Sequence, residues 1–228
     1  MGSDNRFHKR KAKQYRDLER QKAKRAPYER ILIVCEGGKT EPIYLKGLVK
    51  EYGLNTANVE ITGDCGSAPI NVVDYAYLLY KKDKKSGSPY DIVYCVFDKD
   101  THDSYHQAIN KINGLNPKNI FKAIKSIPCF EYWILQHFAS TTRAFVSAGN
   151  KSPCDCVLHE VNKYLPSYQK GAIDSNAFNQ LLTNTQTAIN NSKQSIQQAK
   201  LANTDNPSTE VHILVEFLLD LKKRAESI

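Results

Sequence analysis

The sequence lacks any long hydrophobic run, and this absence argues against a protein with transmembrane helices. No apolar stretch reaches the ~18 residues that a transmembrane helix needs, so we expect no membrane contact. No apolar stretch follows the basic residues near the amino terminus either, so we expect no secretory signal peptide. Internal repeats and low-complexity linkers are also missing. A chain of 228 residues is then expected to form one large domain, or a domain with a helical appendage.

The cysteines give no sign of a disulfide framework. Two of the six, Cys35 and Cys95, fall inside predicted strands, where cysteine behaves as a small hydrophobic residue. We therefore expect reduced thiols and a cytoplasmic location. The pattern Cys154-x-Cys156-x-x-His159 can bind zinc, but a fourth ligand is not evident and the spacing is unusual, so a structural role is favoured.

The chain has little net charge outside the amino terminus. Residues 1–30 hold eleven Lys or Arg and four acidic residues, which accounts for +7 of the total charge of +8. The rest of the chain is close to neutral. This basic arm is either a solvated tail or a segment that gains order on nucleic-acid phosphates, and the sequence favours neither. The nucleic-acid-binding candidates are Lys9, Arg10, Lys11, Lys13 and Arg16.

Two acidic clusters each close a run that predicts a buried strand. Residues 31–35 precede Glu36 and Glu41, and residues 92–97 precede Asp98 and Asp100. Continuous apolar runs rich in β-branched residues are typical of parallel strands covered on both faces. Ligands of such sheets bind beyond the carboxyl ends of the strands. Carboxylates that meet there repel one another unless a cation neutralises them, and Mg²⁺ or Mn²⁺ favours oxygen ligands.

Strands alternate with helices along residues 28–140, which predicts an α/β domain with a mostly parallel sheet flanked by helices. We predict a helix over 41–52 capped by Thr40, and an apolar helix over 129–138. Residues 141–228 predict a C-terminal helical extension packed on this core. Its final helix, over 211–223, is expected to be capped by residues 206–210.

The run Gly37-Gly38-Lys39-Thr40 is not a nucleotide-binding phosphate loop, because Ile33 stands where that motif requires glycine. The two glycines are expected to form a tight turn with positive φ. Glu131 lies near the end of a later predicted strand. It either completes the acidic site or is an exposed acid at a helix start.

Four segments in this order resemble the RloB family of bacterial defence-island proteins, whose site is similar to that of Toprim enzymes. They are residues 31–41, 97–100, 126–138 and 206–212. The resemblance implies a Toprim-like fold, a divalent-metal site and a nuclease that works beside an ATPase. It implies that Asp98 and Asp100 bind the metal and that Glu36 binds metal or moves a proton. Lys39 and Glu131 are further catalytic candidates.

These observations predict three segments and one principal function. The segments are a basic arm over 1–27, the α/β core over 28–140 and the helical extension over 141–228. The predicted function is Mg²⁺-dependent hydrolysis of DNA or RNA in anti-phage defence. The alternatives are a non-catalytic effector or sensor subunit that acts with an AAA- or ABC-type ATPase, and a simple nucleic-acid binder. Self-association into a homo-oligomer is left open.

Overall fold

The first strand explains why a sheet forms at the centre of this protein. All five residues of Ile31–Cys35 are buried. This is observed in a computed structural model, which describes residues 11, 13, 17, 19, 28–99, 103–166 and 168–227. The side chains of this strand alternate between two apolar clusters, with Ile33 on one side of the sheet and Val34 on the other. A strand that is buried on both faces needs a neighbour along each edge, and this one pairs in parallel with two others.

The strands form one sheet in the order β2-β1-β3-β4-β5, in which only β5 runs antiparallel. The prediction of an α/β fold with a mostly parallel sheet flanked by helices is therefore confirmed. The five strands are β1 (Ile31–Cys35), β2 (Val59–Thr62), β3 (Ile92–Asp98), β4 (Phe121–Ile127) and β5 (Ser208–Thr209).

Helices cover both faces of the sheet within the described residues. Val72 and Ala108, on two of these helices, pack beneath one face with Leu32. Tyr44 and Trp133 pack with Ile33 against the other face. The helices are α1 (Thr40–Glu51), α2 (Pro69–Ser86), α3 (Tyr105–Gly114), α4 (Glu131–Gln136), α5 (Pro153–Val161), α6 (Ser175–Thr183), α7 (Thr185–Leu201) and α8 (Val211–Glu226). None of them is long and apolar enough to cross a membrane.

Three local predictions need correction. Thr40 does not cap α1, because it is the first helical residue and its hydroxyl accepts a hydrogen bond from a distant loop. The helix predicted over 129–138 is limited to the six residues of α4. Glu210, the N-cap residue of α8, makes no side-chain cap, but the Thr209 hydroxyl accepts a hydrogen bond from the amide of Val211 at 3.3 Å. Ser208 and Thr209 also form β5, where the Thr209 hydroxyl lies 3.1 Å from that of Ser126 on β4.

Candidate acidic site at the ends of two parallel strands

Glu36 and Asp98 meet at the carboxyl ends of the adjacent strands β1 and β3. The amide of Glu36 donates to the carbonyl of Val96 at 2.9 Å, which continues the ladder by one residue. The Glu36 side chain then turns toward β3, and its Oε2 accepts a hydrogen bond from the amide of Asp98 at 2.9 Å. The register pairs Cys35 with Val96, so Glu36 follows β1 near the end of β3, and its side chain spans the remaining residue to Asp98.

Gly37 reverses the chain immediately after Glu36, at a φ of +83°. Only glycine adopts this left-handed conformation without strain, so the predicted positive φ is confirmed at this position. A second glycine, Gly63, follows β2 and lies against the turn. A methyl group on Gly63 would lie 1.9 Å from the Gly37 carbonyl oxygen. This close approach fixes the segment that joins β1 to α1.

Glu41 enters the same site from the first turn of α1. It is only 8% exposed. Burial raises its pKa to about 8, and the negative charges of Glu131 and Glu36 act in the same direction. Sequence reasoning quoted Glu41 in the motif but did not assign it to the site. The available signal was an acidic residue in the first turn of a helix that starts just beyond the glycine turn.

Glu131 is the fourth carboxyl group and begins α4. Its side chain is 4% exposed, and its Oε2 lies 3.6 Å from the Nζ of Lys170. It acts on the pKa of both Glu41 and Asp98. Of the two sequence interpretations, an exposed acid at a helix start is therefore wrong, because the side chain is buried against the other carboxyl groups.

The carboxyl group of Asp98 also has a raised pKa. Burial raises its pKa well above the usual value of 3.8, and the charges of Glu41, Glu131 and Glu36 raise it further. A hydrogen bond from the amide of Phe130 opposes this shift. Four carboxyl groups so close together cannot all be ionised unless cations compensate their charge, and without cations some of them keep a proton. We call Glu36, Glu41, Asp98 and Glu131 the carboxylate cluster.

Lys170 belongs to a loop that sequence reasoning did not connect with the site. Gly171, at a φ of +78°, makes the turn in this loop. The Gly171 amide donates to the Thr40 hydroxyl at 2.8 Å. A methyl group on Gly171 would lie within 2.9 Å of the Lys39 side chain, which therefore packs closely against the turn. Lys39 itself is exposed at the start of α1. These contacts fasten the loop to the segment that carries Glu41.

The structure describes only some of the predicted site residues. Asp100 and, in the basic arm, Lys9, Arg10 and Arg16 lie outside the described residues. Lys11 and Lys13 are helical and exposed. Within the part of the chain that is described, no three His, Cys, Asp or Glu side chains form a group arranged to hold a metal ion. The carboxylate cluster is thus an electrostatic grouping whose oxygen atoms are not already gathered around one point.

Cys154, from the zinc-binding candidate, and His137 both belong to the protein core. Cys154 is buried beside Cys129, and burial raises the pKa of the Cys129 thiol well above its usual range, as does Cys154 itself. His159 is exposed one helical turn further on. His137 is 1% exposed with its Nδ1 3.0 Å from the Trp133 carbonyl. Burial lowers the His137 pKa to about 4, so this residue is a neutral core histidine.

The fold and the cluster define the class to which this chain belongs: an α/β protein with carboxyl groups at the ends of two neighbouring parallel strands. A family model described as RloB-like protein matches residues 31–218, which include all four members of the carboxylate cluster and Lys170. The chain therefore belongs to the RloB-like protein family. Searches of curated proteins and of solved structures found no match.

Proposed function

We propose that this protein is a divalent-metal-dependent nuclease that hydrolyses phosphodiester bonds of DNA or RNA in bacterial defence against phage. The observation that carries the proposal is the convergence of Glu36, Glu41, Asp98 and Glu131 beyond the ends of β1 and β3. Membership of the RloB-like family and the resemblance of its motifs to Toprim enzymes support it.

The chemistry of the cluster fits Mg²⁺ or Mn²⁺. Both ions favour carboxylate oxygens. The pKa values of Asp98 and Glu41 are raised by burial first and by the neighbouring carboxylates second, and a bound cation would favour the ionised form of both groups. We propose that Asp98 and Glu36 hold the ion together with Asp100. When bound, such an ion stabilises charge that develops on a phosphate and lowers the pKa of a coordinated water.

The remaining groups of the site would bind the substrate and move protons. A carboxyl group with a pKa of about 8, such as Glu41, still carries its proton at neutral pH and can exchange it near that pH. Glu36, whose Oε2 accepts a hydrogen bond from the Asp98 amide beside the end of β3, would hold metal or move a proton. The buried Glu131, next to Lys170, would adjust the charge of the site. Lys39, which is exposed just before α1, would contact a phosphate of the substrate.

Nucleic acid is the proposed substrate because the positive charge is concentrated in the basic arm. Most of the net charge of +8 lies in residues 1–30. Basic side chains that neutralise phosphates release counterions, which gives affinity without sequence specificity. The arm would hold the polymer while the carboxylate cluster acts on one phosphodiester.

One observation favours the second candidate, a non-catalytic effector or sensor subunit that works with an ATPase. Within the described residues the carboxyl groups do not form a ready metal-binding group. In this case the cluster would have a regulatory role, and the helices after residue 141 would provide the surface for the ATPase.

Cleavage assays with labelled single-stranded DNA, double-stranded DNA and RNA separate the two candidates. With Mg²⁺ or Mn²⁺ we expect cleavage by the wild-type protein and none with EDTA. The variant Asp98→Asn keeps the shape of the side chain but removes its charge, and we expect it to reduce the rate by about 100-fold or more.

The matched control is Asp74→Asn, which makes the same change at an exposed position on α2 where Asp74 pairs with Lys111. We expect this control to cleave at the wild-type rate. Equal cleavage by Asp98→Asn and wild type would refute the nuclease mechanism. Absence of cleavage in every metal, together with copurification of an ATPase, would support the non-catalytic candidate.

A further inference from the structure

Lys170 is the cation that faces the carboxylate cluster from a separate part of the chain. Its Nζ lies 3.6 Å from Glu131 Oε2, and its side chain is half exposed whereas that of Glu131 is buried. Burial alone would lower the pKa of Lys170, but the charges of Glu131 and other nearby groups, Asp98 among them, raise it above its usual value. The ammonium group is therefore charged at neutral pH and interacts with more than one member of the cluster.

The loop around Lys170 is built to hold this position. The Gly171 turn is tied to Thr40 by a hydrogen bond of 2.8 Å and packs against the Lys39 side chain. Thr40 directly precedes Glu41 in α1, so the loop is attached to the same segment that supplies a cluster carboxyl group. A lysine on an unattached surface loop would visit many positions, whereas this one starts from a fixed backbone beside Glu131.

We propose that Lys170 is the internal counter-ion of the carboxylate cluster and competes with the divalent cation for it. This inference rests on the proposed function, because it takes the cluster as the place where the cation binds. Before metal binds, the ammonium group offsets part of the negative charge near Glu131. When a divalent cation enters, the two positive charges repel, and Lys170 must move away from Glu131 toward solvent or toward a phosphate of the substrate.

The experiment measures Mn²⁺ binding by the full-length protein without nucleic acid, by electron paramagnetic resonance of the free ion at pH 8.5. Replacing Lys170 with glutamine removes a unit charge next to the site. At a separation of about 6 Å in a water-like dielectric, this relieves enough repulsion on a divalent ion to tighten Kd by about tenfold. The variant Lys170→Arg keeps the charge and is expected to bind Mn²⁺ as the wild type does.

Lys193→Gln is the matched control, since it removes the same charge from a surface ion pair with Glu216. We expect it to leave the Mn²⁺ affinity unchanged. If Lys170→Gln binds Mn²⁺ with wild-type or weaker affinity, the competition is refuted while the metal site stands. If the wild-type protein itself does not bind Mn²⁺, the metal site in the proposed function is refuted, and the competition with it.

Discussion

The buried carboxyl of Glu41 makes the stability of the metal-free protein depend on pH in an unusual direction. Its pKa is about 8 in the folded protein and 4.5 when it is freely solvated. Between these values the folded state binds more protons than the unfolded state, so the free energy of unfolding falls as the pH rises. Most small proteins lose carboxylate-linked stability on acidification instead.

The two pKa values give the size of the effect. They differ by about 3.5 pH units, and each unit corresponds to ~1.36 kcal/mol. Linkage then lowers the free energy of unfolding by roughly 3 kcal/mol between pH 5 and pH 8. The raised pKa of Asp98 acts in the same direction. A loss of this size is a large part of the stability of a typical domain.

Urea unfolding in the presence of EDTA measures this loss of stability. The fluorescence of the single tryptophan, Trp133, reports unfolding because this side chain is fully buried in the folded protein. Glu41→Gln removes the ionisable group, so we expect this variant to lose much less stability between pH 5 and pH 8. The matched control is Glu51→Gln, the same substitution at an exposed position at the other end of α1. We expect this control to follow the wild-type pH dependence.

Two results would refute the reasoning. The first is wild-type stability that stays constant or increases from pH 5 to pH 8. The second is a Glu41→Gln variant with the same pH dependence as the wild type, which would place the responsible group elsewhere. Addition of Mg²⁺ at pH 8 is expected to restore stability to the wild type, because the ion replaces the lost proton as the compensating charge.

Two further predictions concern the glycine turn and the basic arm. Gly63→Ala should lower the free energy of unfolding by about 2 kcal/mol, since the new methyl group would overlap the Gly37 carbonyl. Gly114→Ala, where nothing lies within 4 Å of the added carbon, should not destabilise, and equal losses in thermal melts would contradict this account. Neutralising five basic residues of the arm should reduce the slope of log affinity against log salt for single-stranded DNA by up to about 3.5. The five residues are Lys9, Arg10, Lys11, Lys13 and Arg16. If the slope measured by fluorescence anisotropy is unchanged, the arm does not take part in binding.

The strands and the meeting of Glu36 with Asp98 were predictable because both depend on local patterns. A buried parallel strand has a continuous apolar run, and its carboxyl end is marked by the first polar residue. Once β1 and β3 are neighbours, the register brings the two acids together. Order within the sheet follows from packing across the whole chain, and the local pattern does not contain it.

Lys170 and β5 could not be predicted, for the same physical reason. Each is placed by contacts between residues far apart in sequence, such as Gly171 with Thr40 and Ser126 with Thr209. A short loop that carries glycine and a lysine looks like any solvent-exposed turn. A two-residue strand has no periodicity of its own. Glu41 was closer to prediction, because only the orientation of the first turn of α1 separates a surface acid from a buried one.

The short strand β5 has a consequence for how this protein can be divided. Ser208 and Thr209 pair with the edge of β4, and α8, which follows directly, packs against the same side of the sheet as Tyr94. A fragment that stops near residue 140 would expose the edge of β4 and part of its apolar face to water. The complementary fragment would carry helices without the sheet that orders them. During synthesis on the ribosome, the sheet therefore stays unfinished until residues 208–209 have emerged.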